Sequence, residues 1–231
     1  MAFKPVNNSN LYVEVVNSII TAIATGELKA GEKIKEQQIA DEMNISRAPI
    51  REAIRDLAAQ GIVEYAPKKG ATVATLSEKS IRETYSLRAL LEGMAVHLAI
   101  ENITDEEIKK MEESSKEMTE KLKEKDVEAF IEKDVEFHNF ICEKCNHSKL
   151  QKLIKTFVIQ TRLFMIMSKY NILINSSLSK EYGVHDKIIE KIKVKDKEGA
   201  EKEMRDHITT SGEVLINYLF RKKRNIKTTE Q

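Results

Sequence analysis

Tryptophan is missing altogether from the 231 residues, and only 3 prolines, 8 glycines and 2 cysteines occur. So few turn residues, beside abundant Glu, Lys, Leu and Ile, argue against an all-β chain and for a mainly α protein. The two cysteines form a single Cys142-Glu-Lys-Cys145 pair. That is no disulfide framework; it could be a redox pair or half a zinc site, but there is no second pair and no βαβ context, and a buried small hydrophobe is the simpler reading of Cys142. No stretch approaches twenty apolar residues, and no charged N-terminal region leads into an apolar run. A membrane helix and a signal peptide are therefore not expected, and the cytoplasm is the expected compartment. Net charge is only +1, although 32% of residues are charged. Any grip on nucleic acid must come from a local arrangement of charge rather than bulk attraction.

Such an arrangement is present between Ser46 and Leu57. Ser46 is a capping residue, and Ile50, Ala53, Ile54 and Leu57 recur at helical spacing. Arg47, Arg51 and Arg55 stand four apart on another face. Pro49 is tolerated because the first helical turn lacks intrahelical N–H partners. Three arginines on a helix are by themselves an ordinary solvated face, so the neighbouring sequence decides. Leu11–Thr25 carries an apolar stripe of Tyr12, Val15, Val16, Ile19, Ile20 and Ile23, with Gly26 placed to end it. Lys29–Lys33 reads as a turn. Ile34, Ile39, Ala40 and Met43 mark a second short helix that stops near Asn44, two or three residues before Ser46, as at a helix-turn-helix corner. After Gly61, short β-rich runs at 62–66 and 71–75 flank Pro67-Lys68-Lys69-Gly70, which has turn chemistry. Three helices and a hairpin make a winged helix-turn-helix.

Here the sequence resembles a known family. Gly26-Glu-Leu28, Gly31, Ile34-Lys-Glu36, Ile39-Ala40, Ile45 through Ile54, Leu57, Gly61-Ile-Val63, Gly70 and Val73 resemble the DNA-binding domain of GntR-family bacterial transcription factors. The likeness covers nearly all of the first 76 residues, and Ser-Arg-x-Pro-Ile-Arg-Glu-Ala-Ile is its specific part. It implies that Ser46, Arg47, Ala48 and Arg51 read or grip an operator, with the wing at Lys69 and Gly70 entering the minor groove. Gln37 stands where some members carry a DNA-contacting Arg, a departure from the pattern.

A connection at 75–78 leads into a second domain expected over 77–231, the first being 1–76. Ser77 caps a helix from about Glu78 to Glu101 with Leu87, Leu90, Leu91, Met94, Ala95 and Leu98 as apolar positions. Further helices are expected from Thr104 to about Lys125, Asp126 to Cys145, Ser148 to about Tyr170, Leu178 to about Val194 and Lys197 to about Arg221. Residues 171–177 read as a polar loop, and the basic stretch from Arg221 as a frayed end.

Asp134 and His138, four apart, share a helix face with Phe130, Phe137 and Ile141. A carboxylate in an apolar stripe is costly unless paired or metal-bound. His185 accompanies Ile188, Ile189 and Ile192, and His207 accompanies Met204 and Ile208. Any one of these histidines is more simply a satisfied core residue. Together they make a ligand set for a divalent transition metal if the helices converge, with Zn first and Ni, Fe or Mn as alternatives. The stretches around Arg88-Ala-Leu-Leu-Glu92, Asp134–His138, Asn146–Leu150, His185–Ile189 and Met204–Ile208 resemble the all-helical FCD effector domain of the FadR-type GntR branch. Six helices suit its smaller, VanR-like form. Gly183-Val184-His185 departs from the usual Glu-His pair but keeps the histidine. The resemblance implies that Asp134, His138, His185 and His207 hold a metal whose coordination a carboxylate effector completes. Arg88 and Arg162 are candidates for an effector carboxylate, or for pairing with a Glu. The expected protein is a homodimeric, ligand-responsive transcription regulator, not an enzyme, binding a palindromic operator. The alternatives are the same regulator with a metal-free pocket, or a metallohydrolase fused to a DNA-binding domain.

Overall fold

The computed structural model describes residues 9–66, 68, 70–167 and 185–221. It divides into two compact units, Met1–Leu76 and Ser77–Gln231. Among the described residues no helix is long and apolar enough to cross a membrane.

The first unit holds α1 (Ser9–Thr25), α2 (Glu36–Met43), α3 (Arg47–Ala59), β1 (Val63–Ala66) and β2 (Gly70–Val73). Its core is the apolar stripe read from the sequence: Val15, Ile19 and Ile23 of α1 bury with Ile50, Ala53, Ile54 and Leu57 of α3. Full burial of such a side chain contributes about 1.5–3 kcal/mol. Tyr12 on α1 donates to Asp56 Oδ2 on α3 at 2.5 Å, fixing the crossing of the two helices. Asn44, left-handed at φ 52°, ends α2 and donates its N–H back to Ala40 and Asp41,. The hairpin pairs Val63 with Val73 and Ala66 with Gly70, antiparallel. The segment read as a turn does more than that. Lys33 forms an isolated bridge to Thr72, and the Gly31 and Ile34 N–H groups donate to Val73 and Ala71.

The second unit comprises α4 (Glu78–Ala99), a 3₁₀ turn (Ile100–Asn102), α5 (Asp105–Glu124), α6 (Val127–Lys144), α7 (Ser148–Met167), α8 (Asp186–Lys193) and α9 (Lys197–Ile216). A π-helical segment, Asn217–Arg221, follows α9. Four of these helix starts have a local cause. Ser77 Oγ accepts from Ser80 N, Thr104 and Glu107 form a reciprocal capping box, and Asp126 and Asp196 accept from Ala129 N and Gly199 N,. The loop expected at 171–177, the helix start expected at Leu178 and the tail from 222 lie outside the described residues.

Helix α4 packs against α6, α7 and α9 and forms the axis of this unit. Its approach to α9 is close. A Cβ on Gly212 would stand 2.8 Å from Tyr85 Cγ, and one on Gly93 2.8 Å from Arg205 Cγ. The face that α4 buries differs from the one its leucines suggest. Thr84, Tyr85, Arg88, Ala89, Glu92, Gly93 and Val96 point inward, while Leu87, Leu90 and Met94 are 45–52% exposed. Arg88 and Glu92 go in among small and apolar neighbours while three large apolar side chains stay out, so the interior at this level holds a charged chamber.

Candidate operator-reading surface and buried Asp–His cluster

In the first unit Ser46, Arg47, Ala48 and Arg51 are all exposed at the start of α3. Ser46 occupies the cap position with extended backbone, but its hydroxyl makes no capping bond. Arg47 and Arg51 are joined through Glu36 at the start of α2, an acidic partner that the sequence pattern does not announce. Gly70 opens β2, exposed and left-handed at φ 80°. Lys69 lies outside the described residues. Gln37 donates to Asp41 Oδ1 along α2.

In the second unit Asp134, His138, His185 and His207 come together, each offering a ligand atom within 4.8 Å of the others. Asp134 and His138 arrive one turn apart on α6. His185 sits at the residue preceding α8, and His207 comes from the middle of α9. His185 Nε2 is 3.2 Å from His207 Nε2 and 3.4 Å from Asp134 Oδ1, and His138 Nε2 is 3.8 Å from the same oxygen. His138 and His185 are 1% and 0% exposed, Asp134 7%. Phe137 stacks flat on His185, with centroids 3.9 Å apart and planes at 7°, and so fixes the ring.

The geometry suits a cation. Metal–ligand bonds of about 2.0–2.2 Å place adjacent donors about 2.8–3.6 Å apart, close to these separations. His138 Nε2 is buried with no hydrogen-bond partner, which is costly for a protein interior unless something else occupies the site,. Burial drives His185 below its ordinary range, with Asp134 opposing, and drives His207 well below it with help from His185 and His138. Both shifts favour the neutral form of His185 and His207, the form that ligation requires,. Burial would raise Asp134, yet His138 and His185 outweigh it and keep the carboxylate ionised.

A second layer surrounds the four. Glu92 Oε2 lies 2.5 Å from His138 Nδ1, leaving Nε2 as the inward atom. The other Glu92 oxygen accepts from Arg88 Nε, and Arg88 Nη1 donates to Thr161 Oγ1 at 3.2 Å. Burial opposes ionisation of Glu92, but Arg88 and His138 prevail and hold it at about 2. Tyr85 is 3% exposed, and its hydroxyl has no hydrogen-bond partner. Burial raises it, and it interacts electrostatically with Arg88, Asp134 and Glu92. Of the two arginines expected near an effector, Arg88 belongs to this chamber. Arg162 does not join it: half exposed, it pairs with Glu132. Cys142 and Cys145 are buried thiols, and burial pushes Cys142 up to about 12, which leaves it unreactive,.

A winged helix-turn-helix followed by an all-helical unit built around a buried polar chamber defines a class, the DNA-binding regulator with a sensory domain. The model of bacterial regulatory proteins of the gntR family matches residues 11–73, and the FCD domain model matches residues 83–210. The chain belongs to the GntR family of bacterial transcriptional regulators, in the group that carries an FCD domain. It is 28% identical to the helix-turn-helix regulator YdhC of Bacillus subtilis over 93% of this chain and 95% of that one. It is also 28% identical to the gluconate operon repressor of the same bacterium, over 80% and 76%. The solved structure of Escherichia coli McbR/YncC shares the fold, with a TM-score of 0.72 at 23% identity over 90% and 97% of the two chains. These relatives are regulators, and the family is one of DNA-binding proteins, not enzymes.

Proposed function

We propose that this protein represses or activates its target genes as a dimer on a two-fold operator, under control of a small carboxylate that binds at a metal held by Asp134, His138, His185 and His207. The observation that carries this reading is the convergence of three Nε2 atoms and one carboxylate oxygen in a buried chamber, with His138 Nε2 otherwise partnerless. A bound divalent ion would supply a Lewis-acidic anchor for a carboxylate oxygen. The chain's own groups would orient the rest of the effector. Tyr85 has a free buried hydroxyl, and Arg88 keeps donors beyond those spent on Glu92 and Thr161,. The likeness to the gluconate operon repressor supports an organic acid as the effector class.

Dimerisation is supported by the exposed Leu87, Leu90 and Met94 on α4 and Leu153 on α7,. A single short helix reads only a few base pairs, and two related by symmetry read a palindrome. Helix α4 then has two roles, with Arg88 and Glu92 facing the chamber and the apolar stripe facing a second copy. Effector binding that favours one setting of α4 favours one arrangement of the dimer.

The test is a thermal-shift screen of organic acids on untagged protein, with and without chelator, alongside elemental analysis. A stabilisation that chelator abolishes is the expected result. Metal-free protein that still shifts with an acid would replace this reading with a metal-free pocket.

A further inference from the structure

Glu36 opens α2, yet its carboxylate turns to α3. A single oxygen, Oε2, accepts from Arg47 Nη2 at 2.9 Å and from Arg51 Nε at 2.8 Å. The pairs span 11 and 15 residues of sequence, so the corner of the helix-turn-helix brings them together. Glu36 keeps only 24% of its side chain exposed, while Arg47 and Arg51 keep 47% and 52%. Bonds from Arg51 and Arg47 hold Glu36 below the usual carboxylate range against the opposing effect of burial. Each guanidinium has five N–H donors, and the bond to Glu36 uses one. The clamp therefore orients both arginines without consuming them.

We infer that Glu36 is a positioning residue that sets the selectivity of operator reading. It holds two guanidiniums in one pose while cancelling part of their charge. Phosphate contact is driven by charge and tolerates many poses, whereas a guanine edge demands one planar alignment. A carboxylate between two arginines weakens the first kind of binding and favours the second, because rotamer freedom is already spent before DNA arrives. Exposed ion pairs are weak, so the clamp biases both arginines toward one pose without locking the surface shut,. The inference rests on Arg47 and Arg51 facing DNA.

The experiment uses full-length protein and two duplexes. One is recovered by selection from random-sequence DNA with the wild type, and the other is its scrambled counterpart. Affinities are measured across about 50–200 mM salt. Glu36→Gln is expected to tighten scrambled-duplex binding about three- to tenfold and to steepen its salt slope by about 0.9, the value for one added phosphate contact. Binding to the selected duplex should not follow, so the selectivity ratio falls by the same factor, about three- to tenfold. Glu36→Asp keeps the charge but shortens the reach, and should leave the scrambled-duplex slope near wild type while weakening the selected duplex. The variants are first shown by circular dichroism and thermal melting to be folded as the wild type is; in folded protein an equal change on both duplexes, or no change, overturns the role of Glu36. Arg47→Ala and Arg51→Ala form a separate arm. If neither alters either affinity, the DNA-facing reading itself has failed and takes this one with it. If they weaken binding while Glu36→Gln keeps the wild-type ratio, only the clamp is refuted.

Discussion

Glu92 Oε2 meets His138 Nδ1 at 2.5 Å in the buried centre of the second unit, where both side chains are at most 2% exposed. The contact links α4 to α6, and through Arg88 and Thr161 it reaches α7. It directs His138 Nε2 toward Asp134, His185 and His207. In metal sites such outer carboxylates fix the ring and raise its basicity.

Glu92→Gln is therefore expected to weaken metal binding about 10- to 100-fold, read by competition with a chromophoric chelator. It should also destabilise the fold, because Arg88 loses its buried partner, at a cost of about 3–5 kcal/mol. The double variant Arg88→Met/Glu92→Gln separates the two effects. Removing both charges should restore much of the stability while metal affinity stays low. Full affinity in the double variant would mean that Glu92 serves only to neutralise Arg88.

Chelation offers a second measurement. A metal present at a thousand times its dissociation constant stabilises the folded state by about 4.1 kcal/mol, which chelator should remove. His207→Ala should abolish that difference between treated and untreated protein, since it deletes one of the converging ring nitrogens. A chelator-sensitive melting temperature that survives in His207→Ala would place the metal elsewhere.

Much of this architecture is written locally. Ser77, the Thr104–Glu107 capping box and Asp126 mark helix starts through their own hydrogen bonds. The stripe from Ile50 to Leu57 marks the buried side of α3. Asp134 and His138 stand one turn apart, so a shared face is visible from spacing. Their meeting with His185 and His207 is not, because it depends on how three elements pack. Arg88 and Glu92 were harder still. Arg88 is legible as a candidate for an effector carboxylate or for pairing with a Glu, but spacing at i and i+4 does not say that its pair with Glu92 is buried, and the leucines beside them look like core. Packing of α4 on three helices inverts that reading. Glu36 was silent for a related reason, since its partners are 11 and 15 residues away and face it only across a tertiary corner.

The Tyr12–Asp56 bond predicts a pH dependence in the first unit. The hydrogen bond to Asp56, then burial, raises the Tyr12 phenol from its ordinary 10 to about 12. The folded state thus keeps a proton that the unfolded chain releases above about pH 10. The contribution is complete below pH 10 and is lost as pH rises toward 12. Tyr12→Phe should cost about 1 kcal/mol at neutral pH, measured by urea denaturation. Its deficit relative to wild type should shrink across pH 10–12. No deficit at neutral pH would mean that ring packing, which Phe retains, is all that matters at this position, and a deficit that stays constant to pH 12 would mean that Asp56 does not hold the phenol proton.

Gly212 and Tyr85 give the last prediction. A methyl at residue 212 would stand 2.8–3.0 Å from three atoms of Tyr85, its Cβ, Cγ and Cδ1. The near atoms belong to the root of the side chain, so a rotation of the distal ring cannot relieve them. Gly212→Ala should therefore destabilise the second unit by about 1–3 kcal/mol, despite the better helix propensity of alanine. In a Tyr85→Ala background the clash partner is largely gone, and the same substitution should become neutral or favourable. The difference between the two backgrounds, a coupling of about 0.5–3 kcal/mol, measures the contact directly. The single variant has a further consequence for the chamber. Any outward shift of Tyr85 moves its unpartnered hydroxyl, so Gly212→Ala should lose acid-dependent stabilisation even at temperatures where it remains folded. If that response is intact, Tyr85 takes no part in holding the effector.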